Sequence, residues 1–367
     1  MERTRNYAFD ILRILATICI VFHHYQQVTG AYFENRINFC NGRFYFGYVV
    51  EFFFLLSGFF MYHYIKKIFA GMTFRDFILP RLIRLLPLVL LSGIFYEICL
   101  GIYKLLYGED WFGIKITIWG VIINALGIQD GWVFQNPCVN NVTWYVSVLI
   151  LCYVTFYIVT CFGKNLKIPC VYLYIFIILL GCGVQTYGIN LPFFNQSSAR
   201  GYYSFFTGIL LAMYLKKHEV TKKSVVGSIG IIIGFISILV LRSEWIENGV
   251  NYLVTFLVYP AVLMCFSWEP LHGIFKHKHI GKLGKITYDV YIWHNVNFVV
   301  MYIIIKILNL NINLYSYKTM VIYAIIQFVV GYLSYHIIEK PLYSFWNKKY
   351  IRYRNGADIN KDIKDYG

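Results

Sequence analysis

Residues 9–27 read FDILRILATICIVFHHYQQ. The stretch is nearly long enough to cross a bilayer as a helix, yet it carries Asp10, Arg13, His23, His24, Gln26 and Gln27. An ordinary anchor would be aliphatic throughout. Arg13 and His24 are eleven residues apart, close to three helical turns, so both fall on one face about 16 Å apart along the axis. His23 points about 100° away from that face. A cation near one end of a span and an imidazole deep inside it predict a lined pathway rather than a lipid-facing anchor. Arg3 and Arg5 ahead of the apolar run imitate a secretory leader, but Arg13 within the run and the lack of a small-residue cleavage site predict an uncleaved first span.

The rest of the chain is of the same kind. Of 367 residues, 59% are hydrophobic and 14% charged, far from the balance of soluble domains, and the apolar residues come in long runs. This predicts an all-α polytopic membrane protein, with a membrane domain over 1–345 and a basic tail over 346–367 lying near anionic lipid. The net charge of +15 does not point to nucleic acid, because the basic residues sit between apolar runs as topology signals and headgroup contacts. Most of the nine cysteines lie inside apolar runs. Cys40 and Cys138 fall in predicted outer loops, either as a disulfide or as two free thiols. No metal-ligand spacing, nucleotide loop or nucleophile elbow occurs, so neither a metal nor a bound cofactor is expected.

Ten candidate spans follow, at roughly 8–28, 44–65, 78–101, 142–162, 168–188, 201–215, 224–242, 249–268, 286–308 and 319–339. The Gly-punctuated run at 111–127 reads as a re-entrant or interfacial segment. With the N-terminus inside, the inner segments hold 22 Lys and Arg and the outer loops 8, which predicts both termini in the cytoplasm.

Several spans carry groups that a lipid-facing helix would not. The second, FGYVVEFFFLLSGFFMYHY (46–64), buries Glu51, a carboxylate that costs about 2.5–3.5 kcal/mol in a bilayer unless paired. Paired with His24, it would orient the imidazole and stabilise the imidazolium, or simply hold two helices together. Ser57 and Gly58 on the same helix allow close packing, with Ser57 also a candidate pathway residue. The third span opens PRLIRLLP (80–87) and sets Arg81 and Arg84 on one face at the inner mouth, a pattern that suits phosphate or carboxylate, or lipid headgroups. The fourth begins NNVTWYVSV (140–148), with Trp144 at the outer interface, as a belt residue or a candidate pathway-lining residue. The ninth, LGKITYDVYIWHN (283–295), holds Asp289 and His294 five apart and on different faces, with His294 lining the pathway or satisfying a buried partner. The last ends YHIIEKPLYSFW (335–346), where Glu339 and Lys340 precede Pro341.

In order, these pieces resemble the membrane-bound acyltransferase-3 family, which O-acylates bacterial surface glycans. The resemblance rests on Arg13 with His24 after ten spacers, on the acid–FFxLSGF block (51–59), on RxxRxxP (81–87), on ITYDVYIWH (286–294) and on IIEKPL (337–342). It spans almost the whole chain. The fourth span departs from the pattern: Leu149 and Leu151 stand where an acidic residue is often found. The hydrolase-like domain fused to some members is not expected in this chain. The resemblance implies transfer of an acyl group, usually acetyl, from cytoplasmic acyl-CoA to a sugar hydroxyl on the outer side of a bacterial cell membrane. Acyl-CoA would be a co-substrate. Arg81 and Arg84, with Arg13 deeper, would bind the donor, and His24 with Glu51 would perform the chemistry. His24 serves there as general base or as a transient acyl carrier. The competing expectation is a transporter or flippase for a glycan or lipid-linked sugar, which would show internal repeats; the two halves show no convincing similarity.

Overall fold

A chain in hydrocarbon must satisfy its own backbone hydrogen bonds, and the apolar runs do so as helices. The computed structural model describes residues 7–33, 38–40, 42–132, 139–241, 249–275 and 277–365; among them there is no strand. The main helices are α1 (Tyr7–Thr29), α2 (Val49–Phe69), α3 (Phe74–Tyr107), α4 (Ile118–Leu126), α5 (Trp144–Leu166), α6 (Cys170–Thr186), α7 (Gln196–Lys217) and α8 (Lys222–Leu241). A composite helix follows, α9 (Val250–Leu253) and α10 (Tyr259–Phe266) joined by a π-helical turn, then the short α11 (Glu269–Ile274). The long α12 (Lys278–Ile307) and α13 (Tyr317–Ser334) complete the body. A second π-helical turn, Tyr335–Glu339, leads into α14 (Lys340–Asp365).

Each of the ten predicted spans coincides with a helix. Seven helical segments of the described residues are long and apolar enough to cross a membrane: Tyr7–Thr29, Phe46–Phe69, Phe74–Tyr107, Asn141–Leu166, Lys222–Leu241, His279–Ile307 and Tyr317–Arg354. Cys170–Thr186 and Val250–Phe266 are apolar but shorter. α7 has the length, at 22 residues, but its first turns carry Gln196, Ser197, Ser198 and Arg200. The 111–127 run forms only a 3₁₀ turn (Trp111–Gly113) and the nine-residue α4. At 1.5 Å per residue α4 is about 14 Å long, too short to cross. Its ends are set by the Thr117 cap and by Gly127 in the left-handed region (φ 65°).

The tightest crossing in the body is between α2 and α7. A Cβ on Gly58 would sit inside the Phe205 carbonyl, and one on Gly208 inside the Leu55 carbonyl. The two backbones thus meet glycine against backbone on both sides, which a side chain of any size would prevent. A second lock joins the same helices. Arg200 of α7 makes a bidentate ion pair with Glu51, Nε to Oε1 at 2.7 Å and Nη2 to Oε2 at 2.8 Å. Arg200 also donates to the Gly47 carbonyl (2.9 Å), and the Tyr203 hydroxyl donates to Glu51 (3.2 Å). The guanidinium lies 4.9 Å over the Trp144 ring. Glu51 is wholly buried. The contact expected between Glu51 and His24 is therefore not made: a guanidinium offers two parallel N–H donors that match a carboxylate, and Arg200 occupies both oxygens.

The basic tail from 346 onward lies within α14, which begins at Lys340. It is tied to the start of α3 by Tyr350, whose hydroxyl donates to Asp76 (2.9 Å), and by Arg75, which donates to the Tyr353 hydroxyl (2.6 Å). Of the two cysteines considered for a disulfide, Cys138 lies outside the described residues.

Two stability experiments follow from this packing. Gly58→Ala and Gly208→Ala should each cost about 1–3 kcal/mol or more by overpacking, whereas Gly227→Ala, which meets open space on α8, should be neutral. Thermal unfolding in detergent reads the difference; equal melting temperatures for all three would contradict the close crossing. Glu51→Ala should destabilise by about 3–5 kcal/mol by leaving a guanidinium unpaired, and adding Arg200→Met should recover most of that loss. A double variant no more stable than Glu51→Ala would show that the pair is not what the fold depends on.

Candidate active site

Arg13, Arg81 and Arg84, which come from two separate stretches of sequence, line one cavity of about 470 Å³. Lys285 of α12 lines it as well. The remaining wall is largely aromatic and apolar, including Phe53, Phe60, Tyr64, Tyr145, Tyr153, Tyr288 and Tyr291, with Ser57 as a small polar member.

The four cations are held differently. Arg13 is paired with the buried Asp10 one turn back, at 3.0 Å, and lies 5.1 Å from the Phe60 ring centre. Gly284 makes room for that carboxylate; a Cβ there would meet the Asp10 side chain at 2.6 Å. Arg84, more than half exposed, lies 3.8 Å from Glu339. Arg81 is boxed by rings, 4.1 Å from Tyr64, 3.9 Å from Phe77 and 5.3 Å from Tyr153. It donates to the Phe77 carbonyl and, at 3.3 Å, to the Met61 sulfur. Among the described residues neither Arg81 nor Lys285 has a carboxylate partner. The cavity thus holds two cations without a carboxylate partner among the described residues, the half-buried Arg81 among rings and the exposed Lys285 at its rim, which favours an anion.

Neither His24 nor His294 lines this cavity. Three rings in its wall, Phe53, Tyr145 and Tyr291, touch one another, with centres 5.4 Å apart for the tyrosine pair and 6.1 and 6.2 Å from Phe53 to each. Both hydroxyls are tethered: Tyr291 donates to the Val142 carbonyl (2.8 Å), and Tyr145 lies 3.3 Å from the Ser57 hydroxyl. Tyr291 belongs to two compartments. Its ring is part of the cavity wall, while its carbonyl lies 2.6 Å from His294 Nδ1. The His294 ring in turn lies 5.1 Å from the His24 ring. Tyr291 thus joins the cavity wall to the two histidines, which the cavity itself does not reach.

The two histidines of α1 do different work. His23 is buried, its Nδ1 lies 3.1 Å from the Phe39 carbonyl, and its ring packs against Tyr45. Gln26 accepts from the backbone N–H groups of Phe39 and Cys40. His23 and Gln26 thus fasten the connection after α1. His24 is turned away from this task, and its Nδ1 meets Oε1 of Gln27 at 3.0 Å. An amide oxygen only accepts, so the proton sits on Nδ1 and Nε2 of the neutral ring carries the free lone pair.

Beside this pair, a buried polar network pins the segment between α4 and α5 onto α12. Asn140 donates to the Ile292 carbonyl (3.0 Å) and accepts from Asn295 (3.1 Å). Thr143 donates to Asn124 (2.6 Å) and accepts from Gln129 (3.0 Å). The backbone around His294 is thus held from outside its own helix.

Of the residues singled out from sequence, Arg13, Arg81, Arg84 and Ser57 come together at the cavity, and His24 and His294 come together beyond the rings. Glu51 and Trp144 belong to the Arg200 clamp. Arg200 and Lys285 were read only as loop cations, and the roles of Tyr145, Tyr291 and Gln27 were missed. Intramembrane placement of Arg200, four residues into a helix that follows an Asn195 cap, is the signal that would have found it. A family profile described as an acyltransferase domain (Acyl_transf_3) matches residues 6–346. Comparisons with curated proteins and with solved structures find no match. The profile covers nearly the whole chain, so this multi-pass membrane protein belongs to that acyltransferase family.

Proposed function

We propose that the protein moves an acyl group, acetyl first among them, from cytoplasmic acyl-CoA to a hydroxyl of a cell-surface or exopolysaccharide sugar. The observation that carries this reading is the cavity itself. It gathers three arginines and a lysine, leaves two of the four cations unpaired, and continues into an aromatic wall suited to a thin, mostly apolar arm. In this reading the donor phosphates stay with Arg81, Arg84 and Lys285, and Arg13 stands deeper along the arm. The excess of Lys and Arg in the inner segments supports a reading with that mouth, and both termini, on the cytoplasmic side of a bacterial cell membrane crossed ten times.

The chemistry then belongs to His24. With Nδ1–H held by Gln27, Nε2 removes the proton of the sugar hydroxyl as its oxygen attacks the thioester carbonyl. The C–O bond forms, the C–S bond breaks, and CoA leaves as the thiolate with the electron pair. The Phe53–Tyr145–Tyr291 layer must part for the thioester to reach this nitrogen, which keeps water from the donor when no acceptor is present. Glu51 acts here through the fold, by fixing Arg200 and Trp144, rather than as the acid that orients the imidazole. The basic α14 rests on anionic lipid of the inner leaflet.

Two experiments bear on this. In a strain whose surface glycan is followed by mass spectrometry, His24→Ala should remove the acyl groups while glycan and protein levels hold. Acyl groups that persist would end the catalytic assignment, and disappearance of the glycan itself would favour an export function. With purified protein and acetyl-CoA, Arg81→Gln and Lys285→Gln should each raise the donor KM about tenfold to a hundredfold, the worth of one charge-assisted contact, and leave kcat within a few-fold. An unchanged KM in both would remove the donor from this cavity.

A further inference from the structure

Several hydroxyls in the cavity wall are already spent. Those of Tyr288 and Tyr291 donate to the Leu85 and Val142 carbonyls, and that of Thr287 donates to the Gly284 carbonyl. Ser57 of α2 and Tyr145 of α5 have only each other among the described residues. Their oxygens lie 3.3 Å apart. That is longer than the usual O–H···O separation of about 2.7–2.8 Å. Two hydroxyls joined by one hydrogen bond leave one proton undonated, whichever of them donates, and both oxygens keep lone pairs. The pair is held in place by packing. Gly58, next to Ser57, sits against the Phe205 carbonyl, and the Tyr145 ring lies between Phe54 and Tyr291, with centres 4.6 and 5.4 Å away. A fixed pair with one spare donor and free acceptors, set in an aromatic wall, is the complement of a secondary amide, whose carbonyl accepts and whose N–H donates.

The position along the helices says which amide. Ser57 is one turn of α2 from Met61, whose sulfur accepts from Arg81 at 3.3 Å. The pair therefore stands about 6 Å along the helix axis from the level of that cation. In an extended CoA arm the inner amide carbonyl, between the pantoyl and β-alanine units, lies about 6 Å from the nearer phosphorus. The thioester follows about 11 Å further on. α1 and α2 run antiparallel, with Phe9 against Phe60 near one end and His23 against Tyr45 near the other. Phe60, three residues from Ser57, also lies against Arg13. His24, about 16 Å beyond Arg13, is then about 12 Å beyond Ser57. An arm with its phosphates at Arg81 and its inner amide at Ser57 carries its thioester to the level of His24.

We propose that Ser57 and Tyr145 together form the subsite for the inner amide of the pantetheine arm. The spare hydroxyl proton goes to the amide carbonyl, and the amide N–H returns a hydrogen bond to an oxygen of the pair. This rests on the donor reading above and adds what recognises the arm between its phosphates and its thioester. Donor choice then depends on a neutral contact as well as on charge, so a thioester without this amide is a poor ligand even where the basic mouth is intact.

The test is equilibrium binding of radiolabelled CoA to the full-length protein in nanodiscs, which needs no acceptor. Pantetheine and N-acetylcysteamine serve as competitors. Pantetheine has the inner amide and no phosphates; N-acetylcysteamine has the thiol and the outer amide only. With the wild type, pantetheine should displace CoA about tenfold better than N-acetylcysteamine, or more. Tyr145→Phe and Ser57→Ala should each weaken CoA and pantetheine by a common factor of about threefold to tenfold, the worth of one neutral hydrogen bond. Arg81→Gln should weaken CoA and leave pantetheine unchanged. The two hydroxyl variants lie on different helices, so if one fails to fold the other decides. Equal displacement by the two thiols, unchanged CoA affinity in a folded hydroxyl variant, or a loss for CoA that pantetheine does not share would each overturn the proposal. A wild type that binds no CoA sinks the donor reading and this inference together. CoA binding that falls with Arg81→Gln and holds with Tyr145→Phe and Ser57→Ala sinks the inference alone.

Discussion

An ionised side chain in hydrocarbon must be paired, surrounded by rings, or led to water, and most of this architecture answers to that constraint. Glu51 and Arg200 neutralise each other between α2 and α7. Asp10 and Arg13 do so along one turn of α1. Arg84 reaches Glu339 from a largely exposed position. Arg81 is held by aromatic faces with no carboxylate partner among the described residues, and the rings lower the cost of burying the charge without cancelling it. That difference gives the cavity its character. A guanidinium already matched to a carboxylate has little left for a ligand, whereas one held by rings keeps its hydrogen-bond donors directed and its charge unspent.

The same constraint explains the distribution of roles on α1. Consecutive histidines look equivalent in composition, but they leave the helix about 100° apart. The one turned to the connecting segment is consumed in holding the Phe39 carbonyl. The other faces α12, where Gln27 sets its proton and His294 stands alongside. A tautomer fixed by a neutral amide gives a base without a permanent counter-charge, which suits a site that must stay neutral in the membrane until a substrate arrives.

Much of this was readable without coordinates. Apolar runs mark the helices because backbone satisfaction in lipid leaves few alternatives, so all ten predicted spans found a helix. The three-turn spacing chose His24 over His23 for the same geometric reason that the fold does. The face shared by Arg81 and Arg84 was legible from their spacing, whereas Arg13 joined them only through the resemblance. What the sequence could not supply was pairing across distance. Glu51 announces that it needs a partner, but Arg200 lies 149 residues away, on a helix whose polar first turns disguise it as a loop. Lys285 looks like one more inner-loop cation until α12 is seen to begin well before the apolar run. Tyr145 and Tyr291 resemble ordinary belt and core aromatics, since a ring layer exists only when three helices are brought together.

α12 carries both cavity-wall residues and His294, as α1 carries both Arg13 and His24. Gly284, Lys285, Thr287, Tyr288 and Tyr291 give α12 five positions on the cavity wall, and His294 follows within one further turn. A continuous helix transmits a shift or a rotation along its length with little loss, because its hydrogen-bonded turns resist local bending. The wall of the basic chamber and the placing of the His294 ring are thus set by one continuous rod.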